Sequence, residues 1–269
     1  MYGTVLSTTS PTPSLVRLVL GGPGLAGFAG PGPDGDTDAY VNIAIPPAGA
    51  PYTAPFDPDE VKATHPREWW PVRRRYTVRA WDAARGELTL DVVVHGTEGV
   101  AGPWARAARP GDLLVLTGPG SGYRPDPTAA WHLMVGDESA LPAIAASLEA
   151  VPAGVPVVVR LLCDGPDHEL ALSSPGALDL QWIHRTGGAA DTTALAEAVA
   201  ALRFSEGRVH AFVHGEAEEI RAVRRHLLGE RGLERGDMSC SPYWRRTMTD
   251  EAWRAVKRDF VAAMDADLP

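Results

Sequence analysis

The chain has 269 residues, of which 45% are hydrophobic and 22% are charged, so it can bury a sizeable core and exceeds the commonest single-domain length. Its formal charge of −9, from 34 acidic and 25 basic residues, argues against a surface built to neutralise many nucleic-acid phosphates. No apolar run reaches the roughly 18 to 20 residues of a membrane span, and residues 1–10 lack the order of a signal peptide. We therefore expect a cytoplasmic monomer of two domains that neither binds nucleic acid nor enters a membrane.

The cysteines give no sign of a disulfide framework or a metal site. Cys163 and Cys240 lie far apart and belong to no CxxC pair or histidine cluster. This usage fits ordinary reduced thiols. We expect no resident metal.

Short strand-like segments fill the first half of the chain. They are β-branched or alternate in polarity, and Gly, Pro and Asp residues separate them. The pattern predicts a small antiparallel barrel over residues 1–120, with strands at residues 15–20, 40–45, 75–80, 87–94 and 113–116. Residues 46–70 resemble a long irregular excursion between two of these strands.

The second half changes to an alternation of strands and helices. A Gly- and Pro-rich run makes residues 121–130 the predicted linker. Beyond it, the alternation predicts parallel βαβ units and an open α/β sheet over residues 131–269. The predicted strands are residues 132–135, 155–162, 180–184 and 209–213, and the predicted helices are residues 140–150, 192–202 and 217–229. A final helix from about Asp250 carries an apolar stripe, which we expect to be packed, of Trp253, Val256, Phe260 and Met264.

Three motifs carry chemistry. Arg74 and Tyr76 alternate on one strand, so a cation for a phosphate and a ring for a flat ligand face the same way. The small residues of segment 99–105 let backbone N–H groups approach a phosphate ahead of a short helix. Residues 136–144 follow the first strand of the second domain, at the edge where open α/β sheets bind ligands. Each motif by itself is also compatible with a packing or turn role.

Taken in order, the motifs closely resemble those of the siderophore-interacting protein family, flavin-dependent ferric-siderophore reductases of the ferredoxin-reductase-like superfamily. The resemblance covers about residues 38–246, and the string GDESALPAI is its most specific part. The motifs are RRYT, HG, GVAGPWA, GDESALPAI, HGE and YWR, at residues 74–77, 95–96, 99–105, 136–144, 214–216 and 243–245.

The resemblance implies a six-stranded antiparallel β-barrel that binds FAD, followed by an open parallel α/β domain that binds NAD(P)H. Tyr76 and Thr77 would lie at the flavin ring, and Arg74 would hold the diphosphate. Val93 and His95 would border the ring and the ribityl chain. The remaining implied cofactor contacts are Gly99, Ala101, Gly102, Trp104 and Ala105 at the diphosphate, and Asp137, Ser139 and Ala140 on the adenosine side.

The family also implies a basic substrate pocket and an electron donor. The pocket for an anionic ferric siderophore would use Arg245, Arg246, Arg254, Lys257 and Arg258. NAD(P)H would bind at the turn of residues 136–144, near Glu216, with ferredoxin as the alternative donor. Arg160 and Arg185 stand at predicted strand ends, where each would meet a 2′-phosphate or form a surface ion pair. The sequence departs from the family pattern at Asn42, where Lys is frequent, at Gly102 and Pro103, at His214, and at Thr247, where Gly is common.

The implied reaction reduces an Fe(III)-siderophore and releases Fe(II). The flavin carries this chemistry, so no side chain is predicted to act as an acid, base or nucleophile. Two alternatives stay open. One is a related flavin reductase with a protein or another small molecule as electron acceptor, and the other is a non-enzymatic flavin- or siderophore-binding protein.

Overall fold

The computed structural model divides the chain into two compact units, Met1–Arg124 and Pro125–Pro269. It describes residues 1–94, 99–185 and 192–267. The boundary falls inside the segment that the sequence predicts as a linker. On its N-terminal side the backbone is tied to the first unit, because Gly122 and Tyr123 both donate their N–H groups to Asp38 Oδ1 at 2.9 Å.

The first unit is a closed six-stranded barrel in which neighbouring strands run antiparallel, as predicted. Its strand order is β1-β2-β5-β4-β3-β6. Alternate side chains such as Val41, Ile43, Leu88 and Leu90 fill the interior. The strands are β1 (Tyr2–Thr12), β2 (Leu15–Gly21), β3 (Tyr40–Ile45), β4 (Val72–Asp82), β5 (Glu87–Val93) and β6 (Leu113–Gly120).

Strand β1 is absent from the sequence-based prediction. Its sequence is rich in Ser and Thr, and Val5 is its one side chain in the barrel core. It is a strand because it pairs with β2 on one side and β6 on the other, which closes the barrel. A pairing of this kind has no local signature, since it depends on segments distant in sequence.

The first unit also contains two short helices, α1 (Pro58–Thr64) between β3 and β4 and α2 (Ala101–Ala107) between β5 and β6. Helix α1 interrupts the stretch predicted to be irregular throughout. It begins at Asp57, whose carboxylate accepts hydrogen bonds from the N–H groups of Asp59 and Glu60 at 2.8 and 3.2 Å. The proline at the first position of α1 is a second helix-start signal. The prediction of an irregular segment did not take either signal into account.

The second unit is a five-stranded parallel sheet of order β11-β10-β7-β8-β9, which confirms the predicted open α/β fold. Chain order reverses direction next to β7, so the carboxyl end of β7 marks the switch point of the sheet. The strands are β7 (Trp131–Asp137), β8 (Pro156–Cys163), β9 (Ala177–His184), β10 (Val209–Glu216) and β11 (Met238–Trp244). The helices are α3 (Leu141–Ala150), α4 (Ala194–Ala200), α5 (Ala217–Arg225) and α6 (Asp250–Ala266).

Strand β11 is the second element that the sequence did not predict. It contains Pro242, which a central strand would not accommodate, and it occupies the sheet edge beside β10. It ends at Trp244, so it delivers the YWR motif to the carboxyl edge of the sheet.

Helix α6 buries fewer apolar side chains than the sequence predicts. Trp253, Phe260 and Met264 are buried, whereas Val256 is 37% exposed. The prediction that Val256 is packed is therefore wrong. The buried face of the helix is formed by Trp253, Phe260 and Met264, and Val256 lies at the edge of that face. Among the described residues no helix has the length and apolar character that crossing a bilayer requires.

Candidate functional site

Strand β4 carries the first group of predicted cofactor contacts. Tyr76 is half-buried and packs against the barrel core, and Thr77 beside it is 8% exposed. The register pairs Val41 with Tyr76 and Ile43 with Arg74, which places Arg74 and Tyr76 on the same face, as the alternation predicted. Arg74 donates from Nη1 to the Arg73 carbonyl at 3.0 Å.

The segment after β5 carries the second group. Val93 is half-buried at the end of the strand, and His95 lies outside the described residues. Gly99 adopts a left-handed φ of 83°. A Cβ atom at position 102 would lie 3.1 Å from Val94 Cγ1, so the absence of a side chain at Gly102 lets this segment pack against the Val94 side chain.

Helix α2 presents an N-terminus that fits a phosphate group. Within the described residues its first turn receives no hydrogen bond from a capping side chain. Ala101 and Ala105 bury their methyl groups in the barrel core, and Trp104 packs against the same core. Because Pro103 has no N–H and the Trp104 N–H donates to the Val100 carbonyl at 3.1 Å, the N–H groups that this helix start offers an anion are those of Ala101 and Gly102.

The turn after β7 is built around the carboxylate of Asp137, which is fully buried. Its Oδ1 accepts from the Ser139 N–H at 2.8 Å and from Ser139 Oγ at 2.5 Å. Its Oδ2 accepts from the Glu216 N–H at 2.9 Å and from Trp244 Nε1 at 2.7 Å. Since Ala140 is also fully buried, Ser139 is the most accessible of the three predicted adenosine contacts.

Glu216 performs a similar task at the start of α5. Its Oε2 accepts from the N–H groups of Glu218 and Glu219 at 2.8 and 3.1 Å, and its Oε1 accepts from the Arg246 N–H at 3.0 Å. Asp137 and Glu216 thus join the carboxyl ends of β7, β10 and β11. They also occupy backbone donors that would otherwise be available to an anion.

Glu219 is a buried carboxyl group that sequence reasoning missed. It is 1% exposed, and burial together with the neighbouring Asp137 and Glu216 raises its pKa to about 8. Its Oε1 accepts from Arg246 Nη2 at 2.5 Å, while its Oε2 has no hydrogen-bond partner within the described part of the chain. The acidic positions near an HGE motif are the sequence signal that could have found it.

The two arginines considered for a 2′-phosphate are both engaged by carboxylates. Arg185 donates to both carboxylate oxygens of Glu138 at 2.7 and 2.8 Å and to Asp164 at 2.8 Å. Arg160 pairs with Asp179 at 3.2 Å. These contacts agree with the alternative prediction, that each of these arginines forms an ion pair.

The predicted basic substrate residues are also largely paired. Arg245 meets Glu218 at 2.7 Å, and Arg246 meets Glu219. On α6, Arg254 pairs with Asp250 at 2.8 Å, Arg258 lies 3.6 Å from Asp259, and Lys257 is half-buried. Arg245, Arg254 and Arg258 therefore have an acidic side chain within 4 Å that weakens the local positive potential. Glu219, with its pKa raised to about 8, is mostly protonated near pH 7 and leaves the charge of Arg246 in place.

Two of the departures from the family pattern, His214 and Thr247, lie in well-defined surroundings. His214 stacks on Phe212 with ring centroids 3.7 Å apart, and its Nε2 lies 2.9 Å from Ser239 Oγ. Burial lowers its pKa to about 3, so the ring is neutral near pH 7. Thr247 adopts a left-handed φ of 66°, a conformation that glycine tolerates and a β-branched residue resists.

Comparison with known proteins covers both units. Residues 4–123 match the model of the siderophore-interacting FAD-binding domain, and residues 129–247 match that of the siderophore-interacting protein. The ferric vibriobactin reductase ViuB of Vibrio cholerae is 35% identical over 89% of this chain and 87% of its own length.

Two solved structures are similar over nearly the whole chain. The siderophore-interacting protein SipS from Aeromonas hydrophila superposes with a TM-score of 0.82 at 29% identity, covering 97% of this chain and 98% of SipS. A siderophore utilization protein from T. fusca superposes with a TM-score of 0.79 at 32% identity, covering 93% of this chain and 94% of the T. fusca chain. These matches show that the chain belongs to the siderophore-interacting protein family, whose cofactor is FAD.

Proposed function

We propose that this protein is a cytoplasmic ferric-siderophore reductase that uses NAD(P)H, or a reduced ferredoxin, as its source of electrons. The observation that carries the proposal is the flavin-binding character of the barrel in a chain 35% identical to a ferric vibriobactin reductase. When bound, FAD accepts two electrons as hydride and passes electrons on singly, which matches a one-electron change at iron.

Reduction of the metal explains how iron would be released. Hard oxygen donors hold Fe(III) strongly, and each bond weakens when the metal charge falls from three to two. The protein therefore needs no acid, base or nucleophile at the chelate. Its task is to hold the cofactor and to admit the iron complex to the flavin edge.

The barrel residues would hold the cofactor by complementary means. Arg74 would supply a cation to the diphosphate, and the first turn of α2 would supply N–H donors. Tyr76 would cover one face of the flavin ring, and Thr77 would donate or accept a hydrogen bond at its reactive edge. Gly102 lets this loop pack against the Val94 side chain, and Gly99 supplies the left-handed φ of its turn.

The carboxyl edge of the second unit would receive the donor, as open α/β sheets do. Asp137 and Glu216 already occupy several backbone donors of this edge, and both arginines considered for a 2′-phosphate pair with acidic residues. We therefore propose a donor site that distinguishes weakly between NADH and NADPH. Comparable turnover with the two dinucleotides is the expected result.

The decisive experiment combines a spectrum with an anaerobic titration. The purified protein should be yellow, release FAD rather than FMN, and bleach when NADH, NADPH or reduced ferredoxin is added. Addition of a ferric siderophore should then reoxidise the flavin and produce Fe(II), trapped by a ferrous chelator. Reoxidation by other acceptors with the iron chelates inert would identify a different flavin reductase, and a flavin that no donor bleaches would identify a binding protein.

A further inference from the structure

Residues 125–130 begin the second unit and connect it to the barrel. On their N-terminal side the backbone is bound to the first unit at Gly122 and Tyr123. On their C-terminal side they are bound to two side chains from the start of β10, Arg208 and His210. The attachment of the linker to the second unit therefore depends on a few polar groups. We call Asp126, Thr128, Arg208 and His210 the linker cluster.

The backbone of the linker is bound to the imidazole ring of His210. The Asp126 N–H donates to His210 Nδ1 at 3.0 Å. This bond requires a neutral ring with its proton on Nε2, because an imidazolium carries a proton on both nitrogen atoms. Protonation of His210 would replace the acceptor with a donor and leave two N–H groups facing each other. This bond therefore exists only while the ring is neutral.

The Asp126 carboxylate is already occupied. Its Oδ1 accepts from the N–H and from Oγ1 of Thr128, both at 2.8 Å, and its Oδ2 accepts from Arg208 Nη2. These hydrogen bonds hold the pKa of Asp126 well below its ordinary value, so the carboxylate stays ionised in weak acid. Three of its roughly four acceptor positions are filled, so it offers a protonated His210 little compensation for the lost bond.

The ring of His210 lies among four charged or titratable groups. They are Asp126 from the linker, Arg208, Asp237 just before β11, and His132, which lies opposite His210 in the β7–β10 register with ring centroids 6.2 Å apart. Burial, assisted by Arg208 and opposed by the two carboxylates, lowers the pKa of His210 below its ordinary 6.5. The ring is therefore neutral at pH 7.

We propose that the linker cluster is a proton-sensitive attachment, in which the neutral ring of His210 holds residues 126–129 on the second unit and protonation of the ring releases them. Ala130 stays attached, because its N–H donates to the Arg208 carbonyl at 2.8 Å and neither group titrates. Each released residue lengthens the flexible tether between the two units by up to about 3.3 Å. Neither the flavin nor an iron chelate takes part in this change.

The direction of the pH dependence follows from the preference of the attached linker for a neutral ring. The released linker leaves His210 with its ordinary affinity for a proton, which is higher than that of the attached form. As pH falls from 6.5 toward the lower pKa of the attached ring, the equilibrium should therefore shift toward release by up to about tenfold for each pH unit. Above pH 7 the attachment should not depend on pH.

Hydrogen exchange of single backbone amides tests the proposal in the FAD-loaded protein. NMR measures the protection factor of the Asp126 amide, relative to an unstructured chain, between pH 7.5 and 5. We expect it to be constant above pH 7 and to fall below pH 6.5 by up to about tenfold for each pH unit. The Ala130 amide is the internal reference and should keep its protection. A parallel loss at Ala130 and along β7 would mean that the whole unit opens, and the proposal would be wrong.

Three variants separate the charge of His210 from its place in the fold. His210→Asn supplies an amide oxygen near the position of Nδ1, so it should keep the Asp126 amide protected and remove the pH dependence. His210→Leu should lose that protection at every pH. His184→Asn is the matched control, since His184 is an exposed histidine of the same unit that contacts Glu169 at 2.8 Å, and it should keep the wild-type slope.

Two results would overturn the proposal. One is an equal pH dependence of the Asp126 amide in wild type and His210→Asn, which would assign the effect to another group. The other is wild-type protection of this amide in His210→Leu at pH 7.5, which would show that the ring does not hold the linker. Because no measurement involves turnover, each result is independent of whether the protein reduces a ferric siderophore.

Discussion

The carboxylate of Asp137 accepts the indole N–H of Trp244 at 2.7 Å, and this bond joins two strand ends that are 107 positions apart in sequence. The same oxygen accepts the Glu216 N–H, so one buried atom ties β7 to both β10 and β11. Buried acceptors of this kind stabilise a fold mainly because leaving their partners unsatisfied is costly.

Asp137→Asn should therefore lower the free energy of unfolding by about 1–3 kcal/mol. The amide that replaces one carboxylate oxygen is itself a donor, so it cannot satisfy all four donors that the carboxylate accepts. Urea unfolding at pH 7 measures the change. Trp244→Phe, which removes only one donor, is the control and should cost less. Equal stability of Asp137→Asn and wild type would show that the four bonds are not essential.

The buried histidine His132 should make the protein sensitive to acid. Burial, with a smaller effect of His210, lowers its pKa to about 4, and both ring nitrogens lack a partner within the described residues. The unfolded chain binds the proton first, so stability is complete above about pH 6.5 and falls as pH decreases toward 4. His132→Gln should flatten this slope in urea unfolding between pH 7 and 4.5. An unchanged slope in the variant would assign the acid sensitivity to other groups.

Glu219 should have the opposite effect on the pH dependence of stability. Its pKa of about 8 lies above the ordinary 4.5 of a glutamic acid, so the folded protein favours the protonated form. Its stabilising contribution is complete below about pH 4.5 and is lost as pH rises through 8. Glu219→Gln, which mimics the protonated acid, should therefore gain stability relative to wild type between pH 6 and 9. A constant difference across that range would contradict a raised pKa.

Thr247→Gly should stabilise the protein. A β-branched residue at a φ of 66° is strained, and glycine relieves the strain at some cost in unfolded-state entropy. We expect a net gain of about 1 kcal/mol in thermal or urea unfolding. Thr247→Ala keeps the Cβ atom and should gain little. Equal stabilities of the Gly and Ala variants would show that backbone strain is not the cause.

Arg74→Ala should lower the FAD content of the purified protein. Loss of a charge-assisted contact to the diphosphate should weaken FAD binding at least tenfold, from a contribution of about 1.5–3 kcal/mol. Flavin absorbance per mole of protein and a titration of the apoprotein with FAD measure the effect. Tyr76→Ala should in addition alter the flavin spectrum through loss of the aromatic neighbour. Full occupancy in Arg74→Ala would remove Arg74 from the site.

Local patterns in the sequence determined much of the fold. The alternating segments of the barrel and the βαβ alternation of the second half predicted both architectures, and the GDESALPAI string fell at the turn after β7. These features can be predicted locally because the periodicity of apolar side chains depends only on which face of a single strand or helix is buried. The alternation of Arg74 and Tyr76 likewise predicted their common face.

Only the tertiary structure decided which groups meet. Strands β1 and β11 carry weak local signals and exist because distant strands supply their hydrogen bonds. Arg185 was a candidate for a phosphate, yet Glu138 and Asp164, which are 47 and 21 positions away, engage it. The sequence shows where charges stand along the chain, but their neutralisation depends on distances across the fold, because ion pairs and buried hydrogen bonds form between segments that no local pattern connects.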